Sequence, residues 1–411
     1  MKIRPFTMKI SVAILCAFFW HCSEEPLSSE LNHSTLHLDT LLINDVEFIN
    51  YLIYPTLGSN EKLYLGTKDS IDIPITFIEM ETPSYINYWG YLEDTNYTID
   101  SIRLLLFSND SSLEQESTPH LYFSPDSHFN ENSSNYLDFD GLVLSDWIDV
   151  GKPRIKENIL DTSNTFLYSQ LIWSLDTLKD ALYDTSDSNL VRTFALQFPD
   201  ENSSFIELFS EEAASNVTDP QVLIYYHFDV SSSDTTIYDT NFVTIFSSSD
   251  LSIIKPKYSH ADTSKIGLSS GLGLRAKMNI SFSANDLLLL DGALIKSANL
   301  EIPIDTTISD SGYKIIIDPI QNDSSEYFPS NIFLNDPYLS YGSPYRVSNN
   351  TNGQNYVVSL KDYFQNIVLG NVNNIGYKIV GDDKNSPFQS VWFDLNDSTK
   401  KPQIKIVYVS F

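Results

Sequence analysis

Two stretches of the chain, 194–226 and 376–408, follow the same order of residue types. They read FALQFPDENSSFIELFSEEAASNVTDPQVLIYY and GYKIVGDDKNSPFQSVWFDLNDSTKKPQIKIVY. Each has an apolar run, an acidic turn ending in Asn-Ser, a second apolar run, a polar loop, and Pro-Gln before an alternating segment that ends in Tyr. Alternation of apolar and polar residues is typical of a half-buried β-strand. The chain is therefore expected to contain two copies of one strand-rich unit.

Other elements recur in the same order. An early alternating strand is followed by IDSIRL at Ile99–Leu104 in one copy and by IKSANL at Ile295–Leu300 in the other. The segments SLDTLKDAL and SLKDYFQNI then place apolar residues on one stripe of a short helix before each closing stretch. Two copies of this length are too few for a solenoid, so each copy is interpreted as one domain.

The predicted fold class is all-β, with two tandem antiparallel, jelly-roll-like β-sandwich domains that each contain one short helix. The chain has 24 Tyr and 24 Phe, a composition that favours strands. The predicted domains are 35–228 and 241–411. The segment DVSSSDTTIYDT between them, 229–240, lacks apolar periodicity and is predicted to be a linker.

The charge of the chain excludes one class of partner. Lys and Arg number 25 against 54 Asp and Glu, a formal net charge of −29. Such a field repels phosphate backbones, so no nucleic-acid partner is expected. An acidic surface is also ordinary for a soluble exported protein.

The N-terminal residues have the features of an export signal. Lys2, Arg4 and Lys9 precede an apolar run, Ile10–Trp20, that is short for a membrane-spanning helix. We predict a signal peptide over 1–21. Because the only cysteines are Cys16 and Cys22, no disulfide can form within the body of the chain.

The sequence CSEEP that begins at Cys22 resembles the start of a mature bacterial lipoprotein. The resemblance implies a diacylated Cys22, a polar tether over 22–34, and a location in the cell envelope as a surface-exposed outer-membrane lipoprotein. Bulky residues directly before Cys22 depart from the lipoprotein pattern, and an ordinary signal peptide or an uncleaved anchor is the alternative.

The segment FSEEAASNVTDPQVLIYY is similar to the closing motif of DNRLRE domains, the disaggregatase-related sandwich modules of secreted bacterial proteins. LHLDTLLI followed by LYLGTKDSIDIPITFIEM also resembles an uncharacterised domain of surface lipoproteins from Gram-negative bacteria. These resemblances imply a jelly-roll-like sandwich, and some members of the DNRLRE family bind polysaccharide. No ligand-binding residue of either family corresponds to a position in this chain.

Two motifs were weighed as sites of chemistry. Gly267–Gly271 satisfies G-x-S-x-G, but the hydrolase elbow needs a following helix, and the residues after it alternate like a strand. Asp138, Asp140 and Asp146 could supply oxygen ligands to Ca²⁺, with a solvated turn as the alternative. The histidines lack ligand spacing. We therefore predict no enzyme activity, no metal and no cofactor.

The aromatic segment YINYWGYLEDTNY, at 85–97, has no counterpart in the second copy. Rings in a loop can stack on sugars, so Tyr85, Tyr88, Trp89 and Tyr91 are the predicted ligand-binding residues. The alternative is that these rings cover the core, and the same two interpretations apply to YLSYGSPY at Tyr338–Tyr345.

The sequence thus favours a non-catalytic exported lipoprotein that binds extracellular carbohydrate. The second hypothesis is a structural or assembly subunit of a cell-surface protein complex, in which the sandwiches hold another surface protein.

Overall fold

The structure of the protein is a computed structural model. It describes residues 37–69, 71–80, 88–110, 113, 118–160, 167–183, 190–199, 204–213, 217–230, 238–255, 265–323, 332–350, 352–382, 385–393, 395 and 401–410. The predicted all-β class is confirmed, because strands dominate these residues and helices are few and short.

The strands within the described residues are β1 (His37–Ile43), β2 (Val46–Ile53), β3 (Lys62–Lys68), β4 (Ile71–Met80), β5 (Thr98–Ser108), β6 (His120–Ser124), β7 (Ile148–Gly151), β8 (Arg154–Leu160), β9 (Leu167–Ser174), β10 (Thr193–Gln197), β11 (Phe205–Phe209), β12 (Gln221–Asp229), β13 (Tyr238–Lys255), β14 (Ile266–Leu268), β15 (Leu274–Ile280), β16 (Leu294–Pro303), β17 (Lys314–Asp323), β18 (Ile332–Phe333), β19 (Tyr338–Ser340), β20 (Val347–Asn350), β21 (Asn355–Ser359), β22 (Tyr377–Gly381), β23 (Val391–Phe393) and β24 (Gln403–Ser410). The α-helices there are α1 (Lys179–Leu182), α2 (Ala284–Leu290) and α3 (Lys361–Val368). Short 3-10 helices lie at Tyr88–Leu92, Tyr136–Phe139, Leu144–Asp146 and Asp176–Leu178.

The first β-sandwich consists of β3 to β13. One sheet has the order β7-β6-β10-β4, and β3 pairs with both β4 and β11. The other sheet has the order β12-β5-β9-β8. Phe123 and Phe194 from the first sheet and Leu104 and Val222 from the second belong to one buried core. The alternating residues of each strand therefore meet between the sheets, as the period of two requires.

Strand β13 belongs to both sheets of this sandwich. Its first half, Tyr238–Phe246, pairs with β12, and its second half, from Ser247 to Lys255, pairs with β4. The register shifts between Ser247 and Ser249, at the point where the strand passes from one sheet to the other. A bulge bends a strand and increases its twist, which allows one chain segment to join both layers.

The second β-sandwich consists of β1, β2 and β14 to β24. One sheet has the order β1-β24-β16-β21, and the other has the order β2-β15-β22-β17 with β19 and β20 both on β17. β14 pairs with β23, and β18 lies parallel to β2. Strand β15 shows strict alternation of buried and half-buried residues along LRAKMNI. Met278, Leu300 and Ile406 lie in the shared core.

The internal repeat is visible in the sheet orders. The first repeated stretch forms β10, β11 and β12, and the second forms β22, β23 and β24. The order β12-β5-β9 in one sandwich matches β24-β16-β21 in the other, and β4-β10-β6 matches β15-β22-β17. The two copies therefore share one topology.

The predicted domain boundaries need a correction at the first strand of each copy. β1 and β2 lie within the predicted domain 35–228 but pair with β24 and β15 of the second sandwich. β13 lies almost wholly within the predicted domain 241–411 but pairs with β12 and β4 of the first. The pattern of a strand does not specify which of two equivalent edges it joins, and β13 pairs with the strand that directly precedes it.

The predicted linker is also corrected. Residues 231–237 lie outside the described residues, but Asp229 of β12 is paired with Tyr238 of β13. The two ends of 229–240 are therefore the ends of an antiparallel strand pair. The chain instead passes from one sandwich to the other after β2 and again after β13.

Among the described residues, the first sandwich has one short α-helix, as predicted for each domain, whereas the second has two. There, α2 has formed from ANDLLLL in addition to α3. Ser283 Oγ accepts the Asp286 N–H at 3.1 Å, and Asp286 Oδ2 accepts the Ser283 N–H at 2.8 Å. This reciprocal capping box satisfies two backbone donors at the start of α2 and was readable in the sequence as S-x-x-D.

The two sandwiches contact each other through aromatic and amide side chains. The Phe388 ring lies at centroid distances of 5.2 Å from both Tyr64 and Phe205 of the first sandwich. Asn60 donates to the Asn385 carbonyl oxygen at 3.4 Å. This junction lies beside a small cluster of buried residues that includes Ile71 and Ile254.

The predicted signal peptide over 1–21, the lipidation site Cys22 and the tether over 22–34 lie outside the described residues. Among the described residues, no helix has the length and apolar character needed to cross a membrane.

Candidate functional site

The predicted ligand-binding residues have different environments. Tyr85 lies outside the described residues, and for Tyr88 only the backbone is described, at the start of the 3-10 helix Tyr88–Leu92. Trp89 is fully buried in the core of the first sandwich, and the Arg192 guanidinium carbon lies 4.4 Å from the centre of the indole ring. In this structure no face of Trp89 is open to a sugar. The prediction that Trp89 is a stacking platform is therefore corrected in favour of its alternative, packing.

Arg192 is a buried side chain whose guanidinium packs on the Trp89 ring. Its Nε donates to the Leu182 carbonyl oxygen at 2.8 Å, and burial lowers the pKa of the guanidinium to about 10. The guanidinium therefore remains charged at neutral pH. A desolvated cation over an indole face is attractive by about 2 kcal/mol. The tryptophan and the arginine anchor the 3-10 helix to the sandwich.

Tyr91, two residues further on, lies at the surface in a group of four rings. The Tyr91 ring centre is 4.9 Å from those of Tyr97 and Tyr226, and Phe228 lies 5.9 Å from Tyr97. Tyr97 and Tyr226 are themselves 4.9 Å apart at an interplanar angle of 76°. We call Tyr91, Tyr97, Tyr226 and Phe228 the aromatic patch.

Three members of the aromatic patch, Tyr91, Tyr97 and Phe228, are half-buried, whereas Tyr226 is buried. Burial, and then the neighbouring Tyr91, raises the pKa of the Tyr226 hydroxyl. The Tyr226 hydroxyl is therefore neutral at physiological pH and remains able to donate a hydrogen bond. The patch presents apolar ring surface with phenol groups attached, a combination suited to the C–H faces and hydroxyls of a sugar.

Polar groups border the aromatic patch. In the loop between Tyr91 and Tyr97, Asp94 Oδ1 accepts the backbone N–H of Asn96 at 2.9 Å and its side-chain amide at 2.7 Å. This turn orders an exposed carboxylate and an exposed amide in the loop that joins Tyr91 to Tyr97. Oriented polar groups around an apolar surface are the usual composition of a small-molecule site.

Of the four rings in the aromatic patch, only Tyr91 was among the predicted ligand-binding residues; Tyr97 lies in the same aromatic segment, and Tyr226 and Phe228 lie outside it. Tyr226 and Phe228 are far along the chain from Tyr91, at the end of β12. They meet the insertion because β12 pairs with β5, with Tyr226 opposite Ile99, and β5 begins directly after Tyr97. The sequence does contain an aromatic run here, YYHF at 225–228. Only the pairing of β12 with β5 shows that this run lies beside the insertion.

The second aromatic segment, Tyr338–Tyr345, packs against the second sandwich. Tyr338 is buried, and Tyr341 and Tyr345 cover the core with their rings at 6.1 Å and 5.6 Å from Tyr363. Its packing interpretation is favoured over a sugar-binding role.

The G-x-S-x-G motif lies in a hairpin. Gly267–Gly271 spans the end of β14 and the turn into β15, with Ser269 bridged to Leu274. Ser269 is buried, and a strand follows it, as the alternation predicted. The local structure is not the strand-to-helix elbow that exposes a nucleophilic serine.

The three aspartates considered as calcium ligands lie in or directly after short 3-10 helices. Asp138 Oδ2 accepts the Asn135 N–H at 2.9 Å in a capping box, and Asp140 and Asp146 are exposed. In the described part of the chain, the carboxylates that come within range of one ion are different ones, at 131, 211 and 212.

An apolar groove of about 470 Å³ lies between α2 and α3. Phe282, Leu287, Leu288 and Ile367 are among its lining residues, and Leu288 is 74% exposed. The groove lies on the second sandwich, whereas the aromatic patch lies on the first.

Comparisons of this chain with family models, with curated proteins and with solved structures found no match.

Proposed function

We propose that the protein is a non-catalytic exported lipoprotein that binds extracellular carbohydrate through the aromatic patch. The observation that carries this proposal is the group of four rings, whose contacting pairs have centroid spacings of 4.9–6.4 Å; three of the rings are half-buried at the surface. A pyranose ring stacks on such surfaces through its C–H face, and ring contacts of this kind contribute on the order of 1 kcal/mol each.

The rigidity of the patch supports the same proposal. Tyr91 is tied to the core through the neighbouring Trp89, and Tyr226 is held in β12 between two partner strands. Rings that are already held in place lose little conformational entropy on binding. The bordering carboxylate and amide of Asp94 and Asn96 supply partners for sugar hydroxyls.

A glycan array probed with the chain 23–411, which retains every described residue, tests this proposal. We expect the wild type to bind a subset of polysaccharides. Tyr97→Ala should weaken that binding several-fold, because about 1 kcal/mol of ring contact corresponds to such a factor. Tyr225→Ala is the matched control. It removes the same ring from the adjacent position of β12, where the side chain points to the opposite face of the sheet.

Melting temperatures of the same variants show whether a loss of binding is a loss of fold. Equal binding by the wild type and Tyr97→Ala would contradict a role for the patch. If the wild type binds no glycan, the carbohydrate proposal fails. The second function, a structural or assembly subunit, then becomes the one to pursue, and the exposed groove between α2 and α3 is the surface that favours it.

A further inference from the structure

Two segments that are distant in sequence bring acidic side chains together in the first sandwich. Glu131 lies in the loop after β6, and Glu211 and Glu212 lie in the turn after β11. One carboxylate oxygen from each of the three lies within 4.8 Å of the others. Two oxygens bound to the same Ca²⁺ are at most about 5 Å apart, so these three can share one ion.

Asp250 gives a second and independent observation at the same place. Its side chain is completely buried in β13, close to the register shift at which this strand changes sheets. Asp250 Oδ2 accepts the Glu211 N–H at 2.7 Å, and the Asp250 N–H donates to Glu131 Oε1 at 3.0 Å. The carboxylate thus faces the glutamates, and its Oδ1 has no hydrogen-bond partner among the described residues.

Two carboxylates of this cluster, Glu212 and Asp250, have no basic partner among the described residues. Glu212 Oε2 is also buried without a hydrogen-bond partner in the described part of the chain. No ion pair found among the described residues joins Glu212 or Asp250 to a basic side chain. Buried carboxylates of this kind are normally paired or coordinate a metal.

The backbone around the cluster is held in place. A Cβ atom at Gly58 would lie 2.0 Å from the Glu131 carbonyl oxygen and 2.4 Å from its Cγ, so only glycine lets this segment cover Glu131. Ser210 Oγ, directly before the two glutamates, donates to the Asn60 carbonyl oxygen at 2.6 Å. The same loop, 58–60, therefore supports both acidic segments.

We propose that Glu131, Glu211 and Glu212 form a structural Ca²⁺ site next to the buried carboxylate of Asp250. The donor set consists of oxygens only, which suits a hard cation and not zinc. Several carboxylates around one ion suit Ca²⁺ better than Mg²⁺, which keeps most of its waters. The ion ties the loop after β6 to the turn after β11, and both segments are hydrogen-bonded to Asp250 of β13. It acts as a cross-link in a body that has no cysteine for a disulfide.

Calorimetric titration with CaCl₂ tests the site in the chain 23–411 after its metal is removed with EDTA. We expect one saturable site, weaker binding of MgCl₂ in a parallel titration, and a higher melting temperature in Ca²⁺ because the ion binds the folded state. Glu212→Gln should weaken Ca²⁺ binding at least tenfold. Asp146→Asn is the matched control, because it removes an exposed carboxylate that lies outside the cluster, and it should bind as the wild type does.

The half-buried Glu131→Gln provides a second variant if Glu212→Gln fails to fold, and circular dichroism checks both. Absence of saturable binding up to about 10 mM Ca²⁺, above the range of extracellular calcium modules, overturns the proposal. Wild-type affinity in Glu212→Gln or Glu131→Gln also overturns it, because the ion then lies elsewhere. The glycan experiment can fail without affecting this result.

Discussion

Trp89 and Tyr91 are separated by one residue, yet one is part of the core and the other part of the surface. The 3-10 helix Tyr88–Leu92 turns Trp89 and Leu92 toward the buried cluster of the first sandwich. Tyr91 remains half-buried beside Tyr97 and Tyr226. A short helix thus places an anchor and a surface ring next to each other.

Trp89→Ala is expected to lower the free energy of unfolding of the first sandwich by about 3–5 kcal/mol. The substitution leaves a cavity where the indole was and removes the ring under the Arg192 guanidinium. Urea denaturation of both variants measures the effect, with Tyr91→Ala as the matched control. Removal of the half-buried Tyr91 ring should lower the free energy of unfolding by clearly less than removal of the Trp89 ring. An unchanged stability in Trp89→Ala would contradict the burial of its ring.

At the scale of strands, the strands that begin each repeat pair with strands of the other repeat. β1 runs beside β24 over seven residue pairs, and Ile43 at its end lies in the core of the second sandwich. β2 runs beside β15, and Tyr51 Oη donates to Asp336 Oδ2 at 3.2 Å, a carboxylate that also pairs with Arg275 and Lys378. In the first sandwich β13 makes both kinds of pairing alone: its first half lies beside β12 and its second half beside β4.

We therefore expect the fragment 241–411 to fold poorly. It lacks β1, which pairs with β24, and β2, which pairs with β15. Fusing 37–55 through a flexible linker to 265–411 should restore a folded, protease-resistant sandwich. The fragment 56–255, which keeps β13, should fold without the rest. Circular dichroism and limited proteolysis of the three fragments make the comparison. Equal folding of 241–411 and the fusion would show that β1 and β2 are dispensable.

At the scale of the whole molecule, we expect a lipid at Cys22. The motif CSEEP follows an apolar run, and the body of the chain contains no other cysteine that could carry the modification. Metabolic labelling with a clickable fatty acid should mark the wild type and not Cys22→Ala. Equal labelling of both proteins would rule out Cys22 as the acylated residue.

Much of the fold followed from patterns along the chain. The alternation in LRAKMNI predicted β15, and the two stretches that end in Pro-Gln strands predicted two equivalent sandwiches. Part of the candidate site was predictable from the sequence: Tyr91 was predicted, and Tyr97 lies in the same aromatic insertion. Tyr226 and Phe228 were not, because they join the insertion only through the pairing of β12 with β5.

Local periodicity and composition were thus sufficient for the β class, the repeat, the acidic character and the lack of disulfides in the body. These properties depend on residues close together in sequence or on counts alone. The tertiary structure decided which sandwich each first strand joins, which rings are buried, and which carboxylates meet. Each of these depends on contacts between distant segments. A strand of given periodicity fits either of two equivalent edges, and only the connection between β12 and β13 selects one of them.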